Sequence, residues 1–363
     1  MKPENPWTTE QLFPETLAFL DALILEINRA EKSIDIEMYI FQYDYTGKKI
    51  IQSLQAAAGR GVQIRVLVDA VGSASFSNIL AKELLRKGIE FRTYHSFTGG
   101  KILSFFRVVN RRNHRKSWII DSKMAFISSA NVMDSNWKEV GVSVAGGEIS
   151  LLIEAFQQAW VQKKAFKPGI NIKKLFSRIK ENRVRHTLRL NNSLVLRFGN
   201  YRDFLRRTKR AQSRIWFGNA YFVPRYGLVR AMVSPARRGG DVRLLLSHRS
   251  DVFFMPWLAT TYYYTLLKAG VKIYEYLPAF YHAKIRVVDD WMIVGSTNLN
   301  HRSLLHDLEV DVQLTHPESC RALLIDMNAD FSKSNLVKLD DLRKISIFQK
   351  LAARFVLLFR NWL

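Results

Sequence analysis

At 363 residues and 48% hydrophobic content, the chain is long enough for one packed core or for two domains. Its single cysteine, Cys320, excludes an internal disulfide framework and reads as a small buried hydrophobe in a reducing compartment. With 55 basic against 32 acidic residues, the formal net charge of +23 points to an anionic partner, either nucleic acid or an acidic membrane surface.

The opening residues, Met1-Lys-Pro-Glu-Asn-Pro-Trp7, lack the basic-then-apolar layout of a secretory signal. No apolar run reaches the roughly 20 residues needed to cross a bilayer, so a non-spanning protein is expected. Over 14–29, Leu17, Leu20, Leu23, Ile24 and Ile27 share one face of a predicted helix. A strand is predicted over 33–41, a helix after Gly47 ending near Gly59-Arg60-Gly61, and a strand over 62–69. A helix over 77–87 and a strand over 89–94 follow. Strands alternating with helices imply an α/β layer architecture with a largely parallel sheet.

The same order recurs after residue 197. Ala211-Gln-Ser-Arg-Ile-Trp-Phe echoes Ala30-Glu-Lys-Ser-Ile-Asp-Ile, and Arg238-Gly-Gly-Asp-Val-Arg echoes Arg60-Gly-Val-Gln-Ile-Arg. Gly270-Val-Lys-Ile-Tyr-Glu-Tyr echoes Gly88-Ile-Glu-Phe-Arg-Thr-Tyr. The chain therefore reads as an internal duplication. Residues 1–162 and 197–338 are its halves, 163–196 a linker, and 339–363 a tail. The linker carries ten cations within 163–189, Lys163 and Arg189 among them, against the single acid Glu181. A contact with an anionic surface or headgroup is expected of it. The first half also holds about 14 extra residues within 95–112, including Phe97, Lys101, Phe105, Phe106, Arg107, Arg111 and Arg112. They are expected to form an aromatic, basic rim to a site. In the tail, Ile347, Phe348, Leu351, Phe355, Leu358, Phe359 and Trp362 recur at helical spacing with basic residues and no acid from Lys344 on. Such a stripe fits an interfacial amphipathic helix or a helix docked on its own domain.

Each half closes on one motif. In 282–298, His282 and Lys284 are two apart and share a face of an extended chain, as do Ser296 and Asn298. Ile285, Val287, Val288, Ile293 and Val294 read as core, with Asp289-Asp290 at the turn. Residues 114–131 repeat the pattern with His114, Lys116, Asp121, Ser129 and Asn131. Two such half-sites face to face place two imidazoles across one phosphodiester. One, unprotonated, attacks phosphorus; the other, protonated, donates to the leaving alkoxide. An ordinary imidazole pKa near 6.5 makes both forms accessible at neutral pH. Lys116 and Lys284 neutralise phosphate oxygens, and Ser129, Asn131, Ser296 and Asn298 are expected to bind the phosphate. Asp121 and Asp289 lie an odd number of residues from their histidines and face away, which favours a turn role. Orienting acids are expected from the segments after each motif, with Glu139 and Glu309 as candidates and Glu309 assigned to His282. No metal or cofactor is required. The other six histidines, His301 and His306 among them, lack a matching lysine and receive no role.

The paired His114-x-Lys116-x4-Asp121 and His282-x-Lys284-x4-Asp289 resemble the phospholipase D superfamily over nearly the whole chain. Glu37-Met-Tyr-Ile-Phe, Arg111-Arg-Asn-His-Arg-Lys, Asn219-Ala-Tyr-Phe-Val-Pro and Gly295-Ser-Thr-Asn-Leu-Asn-His-Arg-Ser are similar to bacterial cardiolipin synthases. The resemblance implies an α/β fold of two similar halves, pseudo-twofold, with mixed sheets flanked by helices and a metal-independent site between them. It also implies catalytic roles for both motifs, Asp121 and Asp289 included, and an acid after each, matched by Glu139 and Glu309. Ser128 stands where the family usually has glycine, which implies a remodelled first half-site. The implied activity is phosphatidyl transfer through a phosphohistidine, with phosphatidylglycerol as donor and acceptor. His114 is the expected nucleophile and His282 the acid, and the motif symmetry permits the reverse. Hydrolysis to phosphatidate and cleavage of nucleic acid are the alternatives, the second disfavoured by the apolar, acid-free tail. The expected place is the cytoplasm, peripheral on the inner face of the cell membrane, with the oligomeric state open.

Overall fold

The computed structural model describes residues 6–95, 111–161 and 186–358. The first half runs β1 (Trp7–Phe13), α1 (Thr16–Arg29), β2 (Ser33–Met38), α2 (Tyr45–Gly59), β3 (Gln63–Asp69), α3 (Ser77–Leu85) and β4 (Glu90–Tyr94). The hairpin β5 (Ser117–Ile120) and β6 (Met124–Ser128), then β7 (Gly141–Gly146) and α4 (Ile149–Trp160), complete it. The second half runs β8 (Leu188–Leu190), α5 (Leu194–Arg210), β9 (Arg214–Asn219), α6 (Tyr226–Arg237), β10 (Asp241–Ser247), α7 (Met255–Lys268) and β11 (Lys272–Tyr276). There follow β12 (Ile285–Val288), β13 (Trp291–Gly295), α8 (His301–Leu305), β14 (Val310–Leu314), α9 (Pro317–Ser332) and β15 (Ser334–Leu336). A 3-10 turn (Leu339–Arg343) and α10 (Ile347–Leu357) form the tail.

The two sheets have orders β1-β7-β6-β5-β2-β3-β4 and β15-β11-β10-β9-β12-β13-β14-β8. Read in opposite directions these are one topology, with β1 equivalent to β8 and β15 added at the far edge. Only β2-β3-β4 and β9-β10-β11 are parallel, and the hairpin strands add antiparallel to them. Both sheets are therefore mixed rather than largely parallel. The edge strands depart furthest from the sequence reading. β8 lies inside the expected linker, where Arg189 is buried and ion-paired with Asp203 at 2.8 Å instead of facing an anionic surface. The other linker cations, Lys163 to Arg185, lie outside the described residues, as do Phe97 to Arg107 of the expected rim. Arg112, expected on that rim, is buried in an ion pair with Asp69 at 2.9 Å.

Alternation along each strand distributes the core. Ile119, Ile285, Val287, Met292 and Val294 enter one apolar cluster shared by both halves. Trp118 and Ile120 face the helices of the first half, and Val288, Trp291 and Ile293 those of the second. With both faces covered, the strands read as near-continuous apolar runs. The shared cluster joins the sheets back to back and fixes how the two motifs meet. The tail helix α10 docks on α7 through Ala353, Val356 and Leu357. Of the stripe predicted from the sequence, Ile347, Phe348 (81% exposed), Leu351 (57%), Phe355 and Leu358 face outward by contrast, and Phe359 and Trp362 lie outside the described residues.

Candidate active site

Each histidine lies in an extended segment just before its hairpin, and each segment pairs with the opposite half. Asn113 bridges to Leu308, with His114 N–H donating to Leu308 O and Leu308 N–H to Arg112 O, both at 2.9 Å. Lys138 bridges to Tyr281 in the same way, with His282 N–H donating to Lys138 O and Lys138 N–H to Phe280 O, again at 2.9 Å. These pairings carry each glutamate across to the other half's histidine. Glu309 meets His114 Nδ1 at 3.0–3.1 Å, and Glu139 meets His282 Nδ1 at 2.7 Å. The expected assignment of Glu309 to His282 is thus corrected, because the parallel bridges put Leu308-Glu309 beside Asn113-His114.

Lys116 and Lys284 are fully buried and point to the same side as their histidines. Lys116 Nζ lies 3.1 Å from His114 Nε2 and 3.0 Å from His114 O, whereas Lys284 Nζ donates to His282 O at 2.5 Å. Ser129 and Ser296 were expected on the phosphate but hold the carboxylates instead. Ser129 Oγ donates to Glu139 at 2.5 Å, and Ser296 Oγ donates to Glu309. Each hydroxyl also accepts the N–H of the residue after its glutamate, Val140 at 2.9 Å and Val310 at 3.0 Å, which keeps it out of the opening. Asn131 Oδ1 accepts from Ile40 N–H at 3.2 Å, while Asn298 Oδ1 is buried with no hydrogen-bond partner among the described residues. Buried polar groups are normally satisfied; this open acceptor fits a ligand hydroxyl and, with the amide turned over, its NH2 group fits a phosphate oxygen.

Asp121 and Asp289 are not brought to the site. Both sit at hairpin turns with φ of 51° and 52°, a left-handed conformation that aspartate tolerates. Asp121 accepts the backbone N–H groups of Glu31, Lys32 and Ser33, and Asp289 those of Gln212, Ser213 and Arg214. Slight burial works against them, yet those N–H donors hold both carboxyls below the usual range. Their role is to tie the hairpin to the start of β2 or β9, so the catalytic role implied by the resemblance is withdrawn. The expected remodelling at Ser128 has a simple form. Ser128 pairs across the sheet with Gly141, and Gly295 pairs with Asp311, so each cross-strand pair contains one glycine.

Sequence reading missed the walls. Tyr39 lies against His114 with centroids 4.8 Å apart, and Trp137, Phe280 and Tyr221 surround His282 at 5.0, 5.4 and 6.3 Å. It also missed Ser303, which donates to Glu309 at 2.6 Å, and Asn191, whose Oδ1 accepts Glu309 N–H at 2.7 Å. Tyr39, Tyr221 and Ser303 stand in the very stretches that carry the family resemblance, which was the available signal. Asn191 follows a three-residue strand and left none.

Burial pushes His282 down to about 4, Lys284 adding to this and Glu139 opposing it. His114 is pushed well below its ordinary value by burial and by the charges of Lys116, Lys284 and His282. Burial also lowers Lys116 to about 8 and Lys284 to about 7, against the pull of both glutamates. The glutamates differ. Burial raises Glu309 against Lys116 and two hydroxyls, whereas on Glu139 burial is outweighed by His282, Lys284 and Ser129. The direction common to both pairs is downward for the imidazole, through burial first and the two neighbouring ammoniums after it. Burial thus favours the neutral form of both imidazoles in the empty site. The negative charge of a bound phosphodiester reverses that field and makes an imidazolium favourable. Among the described residues no cluster of His, Cys, Asp and Glu is arranged to hold a metal ion, and no helix is long and apolar enough to cross a membrane.

A duplicated α/β fold with a His-Lys pair and a crossed glutamate in each half defines the phospholipase D class of proteins. The chain belongs to the family described as "Cardiolipin synthase, PLD-like domain", which matches residues 23–160 and 204–331. It is 29% identical over 370 residues to a cardiolipin synthase of Clostridium perfringens, covering 95% of this chain and 75% of that protein. Cardiolipin synthase A of Pseudomonas syringae is 26% identical, with 92% of this chain and 70% of the relative covered. Among solved structures, a phosphatidylserine synthase of Haemophilus influenzae superposes with a TM-score of 0.70 at 13% identity, covering 98% and 95% of the two chains. The polyphosphate kinase of Porphyromonas gingivalis gives 0.57 at 11% identity, covering 87% of this chain and 49% of its own.

Proposed function

We propose that the chain is a cardiolipin synthase-type phosphatidyltransferase, with phosphatidylglycerol as donor and acceptor. The observation that carries the reading is the crossed pair of buried imidazoles, each held at Nδ1 by a carboxylate from the other half, with two ammoniums between them. Nδ1–H donation to Glu309 leaves the His114 Nε2 lone pair toward Lys116 and the opening, which favours His114 as nucleophile. Its Nε2 forms a bond to phosphorus, the bond to the glycerol oxygen breaks, and protonated His282 gives that oxygen its proton. A second lipid's hydroxyl then attacks phosphorus, its proton passes to His282, and the P–N bond breaks. Lys116, Lys284 and the NH2 group of Asn298 donate to the non-bridging oxygens. These roles for the motif residues, with Ser129, Ser296, Glu139 and Glu309 as positioning groups, are ours.

We place the protein peripherally on the inner face of the cell membrane. The outward face of α10 supports this, with Ile347, Phe348, Leu351 and Leu358 exposed. Between α7 and the tail lies a cleft of about 580 Å³ in which Lys268, Arg343, Lys350 and Arg354 meet one acid, Asp340. Purified protein on phosphatidylglycerol vesicles should release free glycerol and form cardiolipin. Phosphatidate without cardiolipin would replace this reading with hydrolysis, and cleavage of single-stranded DNA without lipid turnover would replace it with a nuclease.

A further inference from the structure

The two half-sites are alike at the reacting groups and unlike one step outward. Parallel pairing of Asn113 with Leu308 brings Arg111, three residues upstream of His114, alongside the turn in which His306 ends α8. At the rise of an extended chain, that is about 10 Å from the reacting imidazole. His306 Nε2 lies 3.2 Å from His301 Nε2, and Arg302 Nε is 3.1 Å from Asp307. Buried Arg197 donates to the carbonyls of Asn191 and Leu305 rather than to a carboxylate, and Arg225 stands exposed nearby. Burial and the neighbouring charge of Arg111 lower Arg197 to about 10, and burial with Arg197, Arg111, Arg302 and Arg225 lowers His306. Like charges gathered in this way favour an anion among them. Around His282 the matching positions are neutral. Pairing of Tyr281 with Lys138 sets Ala279 level with Asn136, and Trp137, Phe280 and Tyr221 form the wall.

We propose that Arg111, Arg197, Arg225 and the His301–His306 pair form a second phosphate site, which binds the phosphodiester of the acceptor lipid. The inference rests on the phosphatidyltransferase reading and names what selects the acceptor. In a glycerol-linked phospholipid the free hydroxyl and the phosphorus are separated by three carbons and one oxygen, about 6 Å extended. A guanidinium adds about 3–4 Å beyond that. The hydroxyl therefore reaches the phosphohistidine while its own phosphate sits in the cluster. Its oxygen forms the new P–O bond, the P–N bond breaks with its electron pair returning to imidazole, and the hydroxyl proton passes to the second imidazole. Water and uncharged alcohols gain nothing from the cluster, so it favours transfer to a phosphate-bearing alcohol.

The test is partition of one labelled phosphatidyl donor. Phosphatidylglycerol vesicles containing methanol give cardiolipin, phosphatidylmethanol and phosphatidate from a common intermediate. In Arg111→Gln, His306→Gln and the exposed-site variant Arg225→Gln, the ratio of cardiolipin to phosphatidylmethanol should fall, at least tenfold in the Arg111/His306 double variant. In the unmodified enzyme, inorganic phosphate should lower the same ratio, a measurement that requires no folded variant. A ratio that stays constant in all of these, while the unmodified enzyme makes cardiolipin, overturns the second site alone. Absence of cardiolipin from the unmodified enzyme overturns the transferase reading and the second site with it.

Discussion

Glu139 belongs to the half that carries His114, yet its carboxylate lies 2.7 Å from the ring of His282. A residue that orients a general acid or base acts through that group, so its loss should appear in kcat far more than in KM. We expect Glu139→Gln to lower kcat by about 100-fold or more, within the range usual for general acid–base groups. The ¹⁵N and ¹H shifts of the His282 ring should move in that variant while those of His114 hold. Glu309→Gln should do the reverse. Uncrossed responses would refute the pairing. The lysines set a second expectation. Phosphate binding needs their charge, and burial brings Lys284 to about 7 and Lys116 to about 8. An ammonium with a lowered pKa is lost as pH rises through that value, so kcat/KM should fall on the alkaline side from about pH 7. Lys284→Arg keeps its charge throughout and should move the fall upward toward the Lys116 value. A profile flat to pH 10 would sink this account.

Among the elements, the tail was legible as a helix but not in its orientation. Its large apolar residues suggested one stripe, whereas the structure docks a narrower face, Ala353, Val356 and Leu357, and turns Ile347, Phe348, Leu351, Phe355 and Leu358 outward. A short alanine side chain allows close approach to α7, and periodicity weighted by bulk does not register that. The double variant Phe348→Ser with Leu351→Ser should therefore leave the Tm within a degree or two, because it removes exposed groups. Binding to phosphatidylglycerol vesicles in a sedimentation assay should fall several-fold; unchanged binding would show that the face is not inserted. The hairpins of both motifs were legible because each strand buries both faces and each turn begins with aspartate. The edge strands were not. β1 mixes Thr8, Thr9 and Glu10 into its pattern, and β8 has three residues set in a basic stretch. Both exist because a sheet edge elsewhere in the chain needs a partner, which is tertiary information. The same limit explains the glutamates. They were legible as acids in the segments after each motif and through the family resemblance, but the crossing depends on the pairing of Asn113 with Leu308 and Lys138 with Tyr281 between halves.

At the scale of the whole molecule, that crossing makes the site dependent on how firmly the halves are held. One residue before Glu139, Lys138 points the opposite way and binds α9, with its ammonium 2.6 Å from Asp326, 3.7 Å from Asp330 and 3.3 Å from Pro14 O. The group is buried, so the cation is what allows two adjacent carboxylates to remain there. Even so, burial raises Asp330 to about 7 despite Lys138, and raises Asp326 as well. Replacing Lys138 with alanine leaves both acids without a counter-charge, and a loss of about 3 kcal/mol is the scale for breaking such a pair. The pH dependence follows from the sign of the shift. A carboxyl with a folded pKa above its unfolded value binds its proton more tightly in the native state. It therefore favours folding at low pH and loses that contribution as pH rises through the folded pKa. Without Lys138 both acids rise further, so the variant's deficit should be small near pH 5, where they are protonated, and large near pH 8. Thermal unfolding of Lys138→Ala beside the unmodified chain at those two pH values measures this directly. A Tm difference of equal size at both would mean that Lys138 contributes by packing alone, and that the two halves are held by the apolar cluster between their sheets.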